Sequence, residues 1–297
     1  MLFSPGSASE PYEAIRDAPH LADVKAFLEN LWVRFFPYTN KKHFLNEIRK
    51  EDGFYQRLWE LHLGCILLDQ GYQLTNVGNK GPDFLITFDD KKIWIEATAP
   101  MAGTEEDAVP PLQWNSSVAQ EVPEEKIILR FTNAIDKKWK KYKEYLERGI
   151  IKRDDIYIIA VGWNNLNYFH TLNDNDDIIP YIIRSVLPFG TLMAGFSRET
   201  NEVVKYGYGY RDKIQKKNDR EISTKMFLEE KYAGISAIIY SEENLINIPK
   251  SLGGSFFLYL HNPLAKIELP RGTFKFCKEY WYLIEEGKLE FKDWRKK

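Results

Sequence analysis

The sequence predicts an α/β fold, a mixed central β-sheet flanked by helices, and three observations carry that expectation. Residues 83–88 and 93–98 are rich in Phe, Ile, Trp and Thr and flank the polar stretch Asp89-Asp90-Lys91-Lys92, so they read as a β-hairpin. A long helical run follows over residues 124–149. It leads into an unbroken apolar strand, Asp155–Gly162, and a strand reached through a helix adds to its sheet by a crossover.

The remaining elements fall around this core, which spans residues 51–165. Residues 1–50 open with a Ser/Pro/Gly-rich leader and continue as two helical stretches, Leu21–Phe36 and Asn40–Arg49, parted by Pro37, which form an N-terminal helical extension. From Gly53 to Gln70, Phe54, Leu58, Leu61, Cys65 and Leu68 recur at helical core spacing and Gly71 ends the run. The second half of this helix is apolar nearly all round, so it packs on more than one side. A strand is expected over Tyr72–Val77. Residues 99–123, with Pro100, Gly103, Pro110 and Pro111, form a long irregular connection, the kind of loop that contacts substrate. Residues 166–297 continue the same domain, with a helix over 175–187 and strands over 191–197, 203–210, 235–241 and 255–260. His261 and Asn262 come at the end of the last of these strands, where they could reach a site, although an isolated His before a turn reads more simply as structural, and the Lys-rich tail after Gly287 reads as a short solvated helix.

Composition narrows the function classes. A chain of 297 residues with 44% hydrophobic residues can bury a full core, and a formal net charge of −2 does not by itself call for a polyanionic partner. There is no charged-then-apolar leader and no apolar run long enough to span a bilayer, so neither secretion nor membrane insertion is expected. Cys65 and Cys277 lie far apart among apolar neighbours and read as reduced core residues of a cytoplasmic protein. His20, His43, His62, His170 and His261 lack ligand spacing, and no serine-hydrolase elbow, Walker loop or dinucleotide fingerprint is present.

The chemistry concentrates on the hairpin. Pairing symmetric about a four-residue turn sets Asp83 opposite Thr98 and Leu85 opposite Glu96. Side chains alternate with a period of two, so Asp83, Leu85, Thr87, Trp94, Glu96 and Thr98 share one face while Phe84, Ile86, Phe88, Ile93, Ile95 and Ala97 face the core. Asp83 and Glu96 are then diagonal neighbours within about 8 Å, close enough to share a divalent cation. The plainer alternative makes Asp83 a strand cap and Glu96 a solvated residue. Against it, the apolar flanks of Glu96 imply burial, where an unpaired carboxylate is costly. Glu60 is a third acid on an otherwise apolar helix. It either leans toward the hairpin or makes a surface pair with Arg57.

This order, a helix bearing Glu60, a strand, the Gly81-Pro82-Asp83 strand, the Glu96-Ala97-Thr98 strand and a long helix, resembles the core of the PD-(D/E)xK nucleases, a restriction-endonuclease-like fold. The resemblance covers roughly residues 54–162. It implies a metal-dependent hydrolase acting on the phosphodiester bonds of DNA or RNA, with Asp83 and Glu96 binding one or two Mg²⁺ (or Mn²⁺) ions and Glu60 joining them. Where that pattern has a lysine, this chain has Thr98, and a neutral hydroxyl neither orients the attacking water nor offsets transition-state charge well.

A replacement is sought on the long helix. Between Lys126 and Arg153 ten basic residues face three acids, and Arg130, Ala134, Lys138 and Lys141 line one edge of its apolar stripe. Lys138 is the first candidate for a migrated lysine and Lys137 its competitor. Arg130, Lys137 and Lys141 are candidate phosphate contacts, with Trp139, Tyr142 and Tyr145 nearby for base stacking. A second basic stretch, Lys205–Arg220, carries the alternating Tyr206, Tyr208 and Tyr210, more simply a cross-strand packing face. Two readings follow: a nuclease with a displaced lysine, or a nuclease-fold protein that has lost chemistry and binds nucleic acid or protein.

Overall fold

The computed structural model describes residues 1–75, 80–111, 113, 120–162, 166, 178–200, 203–216, 220–243, 257–275, 277–285 and 288–293. Four helices come first: α1 (Glu10–Asp17), α2 (Ala22–Phe35), α3 (Lys41–Glu47) and α4 (Glu51–Asp69). The hairpin β1 (Phe84–Phe88) and β2 (Lys91–Thr98) follows, then α5 (Glu124–Glu147), β3 (Ile156–Gly162) and the single turn α6 (Tyr181–Arg184). Two small hairpins, β4 (Phe189–Phe196) with β5 (Val203–Tyr210) and β6 (Lys213–Gln215) with β7 (Glu221–Ser223), stand apart from the main sheet. The chain then adds β8 (Ala237–Ser241), β9 (Phe257–His261), β10 (Lys278–Glu285) and β11 (Lys288–Asp293). Among the described residues, no helix is long and apolar enough to cross a membrane.

The main sheet runs β1-β2-β3-β8-β9-β10-β11 and is mixed. β2, β3 and β8 are parallel, as the α5 crossover requires, whereas β1 and β9 run antiparallel to their neighbours β2 and β8. Alternation along the central strands supplies two cores. Ile93, Ile95, Ala97, Ile156, Ile158 and Ala160 pack beneath α1, α2 and α4. Trp94, Tyr157, Ile159 and Val161 pack beneath α5 and α6. α4 is fastened to the sheet by the Trp59 indole N–H, which donates to the Ala160 carbonyl at 3.0 Å. A Cβ at Gly162 would fall 2.6 Å from the Trp59 ring, so only glycine lets α4 sit this close to β3.

Several expectations are corrected. The hairpin turns on two residues, not four: Asp89 and Asp90 have φ of +47° and +61°, a type I′ turn whose twist matches the strands, and Lys91 and Lys92 belong to β2. The register shifts by two, pairing Leu85 with Trp94 and Phe84 with Ile95. A shift of two keeps every side chain on its expected face. Asp83 moves from a diagonal position to one directly across from Glu96. Of the strand expected at 72–77 there is one bridge, Thr75 to Leu85, and residues 76–77 lie outside the described ones. Of the helix expected at 175–187, residues 175–177 lie outside the described ones, and of the rest only Tyr181–Arg184 is helical, as α6.

The leader contains α1, started by a proline in its first turn. The tail is a strand, because Leu289 and Phe291 alternate with charged residues at the two-residue period of a sheet edge. Asp90 occupies a left-handed conformation that glycine adopts more easily. Asp90→Gly should therefore stabilise the fold by about 0.5–1 kcal/mol, seen as a higher urea midpoint at unchanged slope.

Candidate functional site

A cleft of about 250 Å³ opens between α4, the start of β1 and α5, with Arg57, Glu60, Asp83, Lys141, Tyr145 and Arg148 among its lining residues. Glu96 lies behind two of these lining residues, Lys141 and Tyr145, and bonds both. It is the one charged residue in the buried part of β2, 1% exposed, and two helical turns of α5 converge on it. Lys138 Nζ donates to Glu96 Oε1 at 2.6 Å, Lys141 Nζ to the same oxygen at 2.8 Å, and the Tyr145 hydroxyl to Oε2 at 3.1 Å. The spacing of three and then four residues puts these groups on one helical face.

Asp83 precedes β1 and reaches back across the hairpin. Its Oδ2 accepts the Ala97 N–H at 2.7 Å, a hydrogen bond that fixes Asp83 beside Glu96. Glu60, also buried, is held on α4 by the Gln56 amide at 2.8 Å and by the guanidinium of Arg57. Gln56 in turn donates to the Ala97 carbonyl at 3.1 Å and accepts the Ala99 N–H at 2.9 Å, which ties the helix acid to the end of β2. Both sequence readings of Glu60 hold at once: it pairs with Arg57 and it faces the hairpin.

The two hairpin acids experience opposite fields. Burial raises the pKa of Asp83 well above the usual aspartate range, and the neighbouring Glu60 and Glu96 carboxylates push it further. Burial acts the same way on Glu96, but the charges and hydrogen bonds of Lys138 and Lys141 outweigh it and hold Glu96 below the usual range. Burial disfavours the ammonium of Lys141, yet Glu96 raises its pKa. Burial and Glu96 also keep the Tyr145 hydroxyl protonated, as a donor.

The other candidates go elsewhere. Lys138, not Lys137, meets Glu96; Lys137 is exposed and lines a separate cleft with Asp136 and Lys140. Arg130 donates to the Asp107 carbonyl at 2.8 Å and lies against Gly103, so it anchors the 99–123 connection and does not face the acids. Trp139 stacks on Tyr142, which contacts Tyr157 at 4.6 Å between ring centres, and Tyr145 bonds Glu96. These aromatics are packing and site residues, not a platform for bases. Gln56 had no signal as a site residue in the sequence beyond its place on the right helix, and Tyr145, expected to stack on a base, instead donates to Glu96. Thr98 is buried at the end of β2 and pairs with Val161.

The donor set bears on a metal ion in two ways. The three carboxylates supply only hard oxygen donors, the chemistry of Mg²⁺ or Mn²⁺, and the raised pKa of Asp83 comes first from burial and then from the Glu60 and Glu96 charges, which a cation would offset. The lysines already neutralise Glu96, however, and among the described residues no three His, Cys, Asp or Glu side chains are gathered as a ready ligand set.

Linkage gives the two acids opposite signs. Folding with a raised Asp83 pKa is opposed while Asp83 is ionised, and the penalty fades as pH falls from the folded pKa toward the ordinary 3.8. Asp83→Asn should raise the urea midpoint at neutral pH, and the gain should vanish near pH 4. Glu96 contributes stability above its ordinary pKa of 4.5 that is lost as pH falls through its lowered value. Glu96→Gln should lower the midpoint at neutral pH by leaving Lys138 without its counter-charge.

Set against known proteins, the chain matches no family model, no curated protein and no solved structure.

Proposed function

We propose that the protein is a metal-dependent phosphodiesterase acting on DNA or RNA, built on a restriction-endonuclease-like core in which the lysine has moved from β2 to α5. The observation that carries this reading is Lys138 on Glu96 at 2.6 Å, in a strand whose own motif position holds Thr98. The element order agrees: an acid-bearing helix, the antiparallel pair β1-β2, the long α5 and a parallel β3.

Each side chain has a defined task in this mechanism. Lys141, 45% exposed, and Arg148 line the cleft and attract the phosphodiester. Lys138, 12% exposed and fixed by Glu96, holds positive charge where negative charge develops in the transition state. Gln56 and Arg57 keep Glu60 turned toward the end of β2. Asp83, Glu96 and Glu60 would hold a Mg²⁺ or Mn²⁺ ion, which supplies Lewis-acid charge to the phosphoryl oxygens and acidifies water.

A second reading rests on the saturation of Glu96. Two ammonium groups and a phenol already satisfy this carboxylate, an arrangement that also suits a nuclease fold without chemistry, kept as a nucleic-acid-binding or protein-interaction module.

Calorimetric titration of Mn²⁺ or Mg²⁺, paired with cleavage of mixed DNA and RNA, separates the two. On the nuclease reading the parent takes up metal and cleaves, Asp83→Ala abolishes both, and Lys138→Ala lowers the cleavage rate by roughly 10²–10³-fold with polynucleotide binding retained. A parent that binds polynucleotide in a salt-sensitive way but never cleaves belongs to the second reading. Absence of both cleavage and such binding overturns each.

A further inference from the structure

A second cavity, of about 480 Å³, lies at the end of the sheet where β2 and β8 begin. Its walls include Lys91, Glu268, Arg271, Trp281 and His261. Its volume falls in the range of small-molecule sites, and it exceeds the cleft above Glu96.

Its polar groups are arranged around one buried acid. Glu279 on β10 is 1% exposed, and its Oε1 lies 2.7 Å from His261 Nε2 at the end of β9. Its Oε2 accepts the Gly272 N–H at 3.1 Å. One carboxylate thus fixes both the imidazole and the turn that carries Arg271. A carboxylate accepts from Nε2–H, which leaves Nδ1 as an acceptor available to a ligand hydroxyl or N–H.

Arg271 is exposed along the chain but positioned by stacking: its guanidinium carbon sits 3.8 Å from the centre of the Trp281 ring. A guanidinium flat on an indole keeps its in-plane N–H groups free for bidentate contact with an oxyanion and offers its other face to a second planar ring. Lys91 adds another cation at the wall, and Glu268 is the one acid among the lining residues. Asn262 secures the β9 turn by donating to the Tyr232 and Ile235 carbonyls at 3.2 and 2.8 Å.

We infer that this cavity binds a small aromatic anion of the nucleoside monophosphate class, its ring stacked on the Arg271 guanidinium, its phosphate met by Arg271 and Lys91, and a ribose hydroxyl donating to His261 Nδ1. The assignment does not rest on the phosphodiesterase reading, since no residue of the Glu60, Asp83 and Glu96 cleft takes part.

Calorimetry on the full chain with adenosine monophosphate, inorganic phosphate and adenosine tests it. Adenosine monophosphate should bind saturably at one site, with inorganic phosphate and adenosine each at least tenfold weaker. Arg271→Ala should weaken the nucleotide at least tenfold, and His261→Gln several-fold, while Lys140→Ala, on the outward face of α5 and away from this cavity, leaves its affinity as in the parent. Arg271 is a surface side chain, so its removal tests the site even where His261→Gln lowers stability. The inference is overturned by no saturable nucleotide binding, by binding that Arg271→Ala leaves unchanged, by adenosine binding as tightly as its monophosphate, or by loss of binding in Lys140→Ala.

Discussion

The buried charge of Glu96 governs how this protein is put together. β2 is apolar on both faces from Ile93 onward except at this carboxylate and Thr98, and an ionised group there without partners would be strongly destabilising. The helix that covers β2 must therefore bring cations, and it must bring them at one rotation. Lys138, Lys141 and Tyr145 reach Glu96 only with Ile127, Phe131 and Ile135 turned into the same core as Tyr157 and Ile159. The ion pairs and the apolar stripe fix the same orientation of α5, a case of local and tertiary preferences agreeing.

That rotation distributes the basic residues of α5 among separate jobs. Those on the Glu96 side neutralise the site. Arg130, two turns earlier, holds the 99–123 connection through Asp107, and Lys137 and Lys140 turn outward toward Asp136 and the β6–β7 hairpin. A helix with a large positive excess is thus not one uniform phosphate track. The cations lining the cleft are Lys141 and Arg148 from α5, Arg57 from α4, and Lys80, with Lys138 bound to Glu96 behind them.

The cleft is electrostatically lopsided. Glu96 has two counter-ions and is held ionised, while Asp83, directly across the hairpin, has a backbone N–H and two neighbouring carboxylates. Such a split between adjacent acids is a recurrent property of sites that move protons or take up cations. The second cavity uses the opposite device: a single buried acid, Glu279, organises a histidine and an arginine-bearing turn around open space.

The sequence by itself determined what local periodicity and side-chain chemistry can encode. The helix of residues 53–70, the hairpin, the crossover through α5 to β3, and the face on which Asp83 and Glu96 lie all follow from spacing, turn residues and alternation. Even the two-residue error in register left those faces intact, because a sheet repeats every two residues. What only the tertiary structure decided is which groups meet across elements. The choice of Lys138 over Lys137, the capture of Arg130 by a loop, the bridging of Gln56 between Glu60 and β2, and the His261–Glu279 pair span separations of up to 42 residues. No sequence period connects such positions; helix rotation and strand order set them. The same holds for β10 and β11, whose short alternating segments read as strands only once β9 supplies an edge for β10, and β10 in turn one for β11.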